Sequence, residues 1–138
     1  GGRLLLADGS PILTSFDPAG GTGRCKLDFF DYDNDGLLDL IIGTGRRSSI
    51  PDKQTGYPLP VLGKKTLGPP LFMKNVGSPS KPAFLPPSPF AHSAFGLVQP
   101  GGSHETGAIA TPLGGNGPNL LVASETGYLF LLKGTNLS

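Results

Sequence analysis

Apolar residues along this chain come in short runs, each closed by glycine, proline, asparagine or aspartate. Runs at Arg3–Leu6, Cys25–Phe30, Leu37–Gly43, Pro70–Asn75, Gly107–Ala110, Asn119–Ala123 and Tyr128–Lys133 either alternate with polar positions or are continuous. Such lengths between turn formers belong to strands, and no segment sustains a helical period. Between the runs lie "SPSKP", "LPPSP" and "GGNGP". There proline removes backbone donors and glycine permits positive φ, so the chain turns instead of extending a ladder. The pattern predicts an all-β protein of short antiparallel strands.

Sliding "DFFDYDNDGLLDLIIG" 80 residues along, without a gap, lays it on "AIATPLGGNGPNLLVA", so that Asp39 to Ile42 fall on Asn119 to Val122. Each copy reads as strand, loop, strand. "PLFMKNVGSPSKPAFLPP" follows the first and "GYLFLLKG" the second, giving a repeated antiparallel unit. A four-stranded repeat of this kind takes about 40 to 50 residues. The larger spacing is accounted for by an insertion over residues 44–68, "TGRRSSIPDKQTGYPLPVLGKKTLG", and loops of that length are functional or disordered.

Composition sharpens this picture in three ways. With 22 Gly, 15 Pro and no Trp among 138 residues, the chain suits a turn-rich β protein and not a helix bundle. Eleven basic against ten acidic side chains leave no overall field to draw it to nucleic acid or an anionic membrane. The apolar runs are too short for membrane insertion as helices. The lone cysteine, Cys25, opens an apolar run and reads as a small buried hydrophobe. "GGRLLLADG" lacks the form of a signal peptide, so secretion would need a signal already removed or lying upstream.

The chemistry concentrates in "DYDNDGLLD", Asp31 to Asp39. Asp31, Asp33 and Asp35 at alternate positions, Gly36 for a sharp turn and Asp39 beyond can converge on one point if the loop curls. Hard oxygen ligands converging on a point describe a calcium site, with the Leu37 carbonyl as a further ligand. The bland alternative is a solvated acidic turn. An EF-hand needs a Glu at its twelfth loop position, which is Ile42 here, and flanking helices, where "LDLIIG" reads as strand.

On these residues the chain resembles the FG-GAP or VCBS-type repeats of calcium-binding β-propellers, found in integrin α-subunit heads and many secreted microbial proteins. The carriers are the D-x-D-x-D-G-x-x-D loop between strands, "LDLIIG", "PLFMKNVGSPSKPAF" and the closing "NLLVASETGYLFLLKG". The resemblance implies four-stranded blades, with 1–23 the end of one blade, 24–90 a blade with the calcium loop and the insertion, and 91–138 a degenerate following blade. It implies one structural Ca2+, held by Asp31, Asp33, Asp35, Leu37 and Asp39 on the face away from ligands. In the second copy Thr111, Leu113, Gly115 and Asn119 stand where the aspartates were, so no second ion is expected. Because a ring needs at least about four blades, the chain is expected to be a partial propeller, whose partner is the rest of the ring. Either it is a fragment, such as the C-terminal part of a seven-bladed one, or several chains complete the ring.

Propeller topology would bring the insertion, with Arg46, Arg47, Lys53, Tyr57, Lys64 and Lys65, to the same face as "QPGGSHETG", with His104 and Glu105. The gapless offset also sets Arg24 and His104 at equivalent positions. A histidine can take a proton and a guanidinium can pair with a carboxylate, and "GGSHETGAIAT" is similar to the histidine-bearing segment of propeller lyases acting on ulvan and rhamnose-glucuronate polymers. That similarity implies a secreted polysaccharide lyase in which His104 is the base and Arg24 meets the uronate carboxylate; Tyr57, in the insertion, is a candidate proton donor, with a sugar-stacking platform or a plain loop anchor as the alternatives. The alternatives are a solvent-exposed or structural His104 and a non-catalytic module that binds a glycan or a protein. His92, between Phe90 and Phe95 in sequence, is expected to pack rather than react.

Overall fold

A computed structural model describes residues 2, 4–12, 25–44, 69–98, 106–124 and 127–138. The chain is all-β. The strands are β1 (Cys25–Phe30), β2 (Asp39–Thr44), β3 (Leu71–Met73), β4 (Ser88–Pro89), β5 (Ala91–His92), β6 (Gly96–Leu97), β7 (Thr106–Thr111), β8 (Asn119–Ser124) and β9 (Leu129–Leu132). Among the described residues they form three antiparallel sheets: a meander β1-β2-β3-β4, a hairpin β5-β6 and a meander β7-β8-β9. A short 3-10 turn, Gly134–Asn136, follows β9.

The continuous apolar run of β2 follows from burial on both faces. Leu40 and Ile42 point into a core with Leu71, Met73 and Phe84, covered by Leu6 and Ile12 from the start of the chain. Ile41 points the other way, into a core with Ala108, Ala110, Leu120, Val122 and Leu132 of the second meander. The two meanders therefore stack face to face. Small Ala108 and Ala110 let β7 come close to β1, and Asp28 Oδ2 accepts a hydrogen bond from the Ala110 N–H at 2.9 Å.

Five of the expected strands change at their ends. Residues 37 and 38 stay in the turn while β2 gains Thr44, β3 is only Leu71–Met73, β7 gains Thr106 and Thr111, β8 gains Ser124, and β9 is only Leu129–Leu132. Arg3–Leu6 is not a strand where it is described. Leu5 bridges Pro11 and Leu6 bridges Phe84 in isolation, because the turn over residues 7–10 folds this segment back on itself. Strands β4, β5 and β6 escape a reading by runs because each is two residues long.

Register corrects the gapless repeat. Phe30 pairs with Asp39, and Thr111 pairs with Asn119. Thr111 thus corresponds to Phe30 and not to Asp31, and the turn at 112–118 is one residue shorter than that at 31–38. The equivalence of Arg24 and His104 rested on the gapless offset. A single deleted turn residue shifts every residue on the N-terminal side of it.

One feature of the stacked core is poorly satisfied. The Tyr32 ring packs against Phe72 and Phe90 with centroids 5.4 and 5.5 Å away, and its buried hydroxyl has no hydrogen-bond partner among the described residues. Burial pushes its pKa up. Since an unpaired buried hydroxyl costs on the order of 1–3 kcal/mol, Tyr32→Phe is expected to stabilise the protein by about 1 kcal/mol, read as a higher urea midpoint at unchanged slope.

Candidate metal centre

The turn between β1 and β2 curls because two of its residues take positive φ, Asn34 at 61° and Gly36 at 89°. Asparagine and glycine are the residues that tolerate this region. The curl lets Asp31 cap its own turn, Oδ1 accepting from the Asp35 N–H and Oδ2 from the Gly36 N–H, each at 2.9 Å. The Leu37 N–H then donates to Asp35 Oδ1 at 3.0 Å.

Asp39, the first residue of β2, is fully buried and ties three parts of the sheet together. Its Oδ2 accepts from the Tyr32 N–H at 3.0 Å and its Oδ1 from the Asn75 N–H at 2.8 Å. Asn75 in turn donates from Nδ2 to the Leu38 carbonyl at 3.1 Å, and its Oδ1 accepts from the N–H groups of Gly77 and Ala83. Desolvation raises the Asp39 pKa above the ordinary 3.8. The two backbone hydrogen bonds oppose that shift, and the charges of Asp33 and Asp35 add to it. The folded chain therefore holds more protons than the unfolded one just above pH 3.8, and this residue's contribution to stability falls as pH rises through that window.

Carboxylate oxygens of Asp31, Asp33 and Asp39 lie within 4.8 Å of one another. Each Asp31 and Asp39 oxygen accepts one hydrogen bond, and a carboxylate offers about four lone-pair sites, so both keep capacity for a cation. The donor set is all hard oxygen, which fits calcium. Asp35 stands outside this trio. It pairs with the ammonium of Lys74 at 2.7 Å, and that ammonium also contacts Asp33. The hydrogen bond from Lys74 holds the Asp35 carboxyl below its usual range. Asp33 first, then Asp35, raise the lysine well above its own.

The second copy solves the same turn without carboxylates. Asn119 sits at the position of Asp39, and its Oδ1 accepts from the Gly134 N–H at 2.9 Å, just as Asp39 accepts from Asn75. Leu40 pairs with Met73 and Leu120 with Leu132, which makes Asn75 and Gly134 equivalent, and Lys74 and Lys133 likewise. On its other side Asn119 donates from Nδ2 to the carbonyls of Leu113 (2.6 Å) and Gly115 (3.1 Å). Asp39 there accepts from an N–H; Asn119 gathers carbonyls with its own donors.

Of the residues singled out from sequence, Asp31, Asp33 and Asp39 are brought together, Asp35 is at the rim, and Leu37 lies in the turn. Arg24, Tyr57 and His104 lie outside the described residues, as do Glu105 and the basic residues of the insertion. Cys25, expected to be buried, is a free cysteine only half-buried at the edge of the core. His92 stacks on the Phe95 ring at a 4.1 Å centroid distance and 7° between planes, and its Nδ1 accepts from the Ala94 N–H. Sequence reading missed Lys74 and Asn75, whose signal was present in the repeat as the shared lysine after the third strand. No helix among the described residues is long and apolar enough to cross a membrane. No family model matches the chain, and neither a curated protein nor a solved structure does.

Proposed function

We propose that this chain is part of a secreted, calcium-stapled β-propeller, with Asp31, Asp33 and Asp39, assisted by Asp35 and the Leu37 carbonyl, holding one structural Ca2+. The observation that carries the reading is the convergent carboxylate trio at the first turn of a four-stranded meander, beside a three-stranded meander whose equivalent turn has no carboxylates. Two outer faces support a larger stack. Leu27 and Phe29 on one side are 56% and 44% exposed, while Ile109, Leu129 and Leu131 on the other are 46%, 72% and 46% exposed. Apolar sheet faces of this kind mark interfaces, and further blades, from the same longer chain or from others, would cover them.

Calcium in such a turn offsets the buried charge of Asp39 and the mutual repulsion of the aspartates, so its binding free energy adds to folding. Saturating calcium, at about 100 times its Kd, is expected to add about 2.7 kcal/mol, read as a higher melting temperature that a chelator reverses and Asp33→Ala abolishes. Lowering the pH towards the carboxylate range should erase the response, because protonated Asp39 is no ligand. A melting temperature indifferent to calcium at pH 7 would remove the metal from this reading.

For activity, we favour β-elimination on a uronate-containing glycan. Arg24 would offset the uronate carboxylate, His104 would remove the proton from the carbon beside it, and Tyr57 would protonate the departing glycosidic oxygen. What supports this is the sequence similarity of "GGSHETGAIAT" to propeller lyases. His104→Ala should abolish the ultraviolet-absorbing unsaturated product in the intact protein. Undiminished product would exclude His104 as base. Saturable glycan or protein binding with no such product would instead assign a non-catalytic adhesion module.

A further inference from the structure

We infer that Lys74 is an internal counter-ion which closes the β1–β2 turn when no metal is bound and which a divalent cation must displace, so that this one lysine sets the metal affinity of the turn. The inference deepens the metal reading above and rests on it for its affinity arm alone.

The position of Lys74 follows from the fold. It is the residue after β3, in the same backbone place as Lys133 after β9, and it lies 39 residues along the chain from Asp35. The next residue, Asn75, is anchored by the Asp39 carboxylate at 2.8 Å and by the Leu38 carbonyl at 3.1 Å. That anchor delivers the lysine to the acidic turn. Its Nζ then contacts Asp33 and Asp35 together. Asp33 is also one of the three carboxylates that converge, so one side chain is shared between the ammonium and any metal.

Two consequences are distinguishable. Without metal, Lys74 offsets the repulsion among the aspartates, so the turn is already folded when a cation arrives. With metal, Asp33 has to be released, which weakens binding by the worth of the ion pairs given up. Both pairs are about one third exposed on each side, where such pairs are individually weak.

The test compares the 138-residue protein with Lys74→Met and Lys74→Arg, following melting without metal and calcium titration by calorimetry. Lys74→Met should melt lower than wild type in chelator and bind calcium about three to ten times more tightly, an effect sized by two exposed ion pairs. Lys74→Arg should stay near wild type in both. An unchanged metal-free melting temperature in Lys74→Met, or calcium binding no tighter than wild type, would overturn the inference. If neither protein binds calcium, the metal reading and the affinity arm both fall. The lower metal-free melting temperature and its rescue by arginine then decide the counter-ion role alone.

Discussion

Asp39→Ala is expected to cost about 2–4 kcal/mol of unfolding free energy, since an unsatisfied buried backbone donor costs about 1–3 kcal/mol and two lose their acceptor here. The carboxylate accepts from the N–H of Tyr32 and the N–H of Asn75, and its removal leaves a part-buried and a buried donor without their acceptor. It also frees Asn75, whose side chain closes the 75–84 segment through Gly77 and Ala83. Asp39→Asn is the informative comparison. An amide keeps one acceptor but turns an NH2 towards a backbone donor, so it should lose about half as much. The equivalent Asn119 tolerates the amide only because two carbonyls face it. Urea midpoints of the two variants, in chelator to remove any metal contribution, measure this. Equal stability of Asp39→Ala and wild type would show that the buried carboxylate does not tie the turn.

Gly77→Ala is expected to destabilise by about 3 kcal/mol, at the upper end of what small-to-large changes cost in a packed site. A Cβ at position 77 would lie 2.6 Å from the Ala83 nitrogen and 3.0 Å from the Pro82 carbonyl carbon, and nearer still to the Lys81 carbonyl oxygen. All three are backbone atoms, so no side chain can swing aside. The clash would push apart the Ser78–Lys81 bridge and draw Gly77 away from Asn75 Oδ1, and through Asn75 it would reach the acidic turn. A combined Gly77→Ala and Asp39→Ala variant should therefore lose less than the sum of the two, since sites sharing a partner are not additive. Full additivity in a double-mutant cycle would contradict this coupling.

Much of the architecture was legible in the residues. Alternation and turn chemistry marked β1 to the residue and placed β2, β7, β8 and β9 within a residue or two, because a half-buried strand must alternate and a fully buried one must be continuously apolar. The two-residue strands β4 to β6 have no period to read. The acidic turn was legible because D-x-D-x-D-G places carboxylates and a positive-φ residue at fixed local spacing, and local geometry belongs to sequence. The roles within it were not. Asp35 and Asp39 look alike in the string, yet one faces a lysine at the rim and the other is buried against two backbone donors.

What the sequence alone determined is therefore the all-β character, the duplicated meander and the curl that brings Asp31 near Asp33. These depend on neighbours a few residues apart, or on a repeat visible as such. The tertiary structure decided that Thr111 answers to Phe30, that β2 is covered on both faces, and that Lys74 and Asn75 reach the turn from more than thirty residues away. Those facts depend on strand register and on which sheet lies over which, and register is set by pairing between distant segments. A one-residue difference in a turn changes it without altering the local pattern on either side.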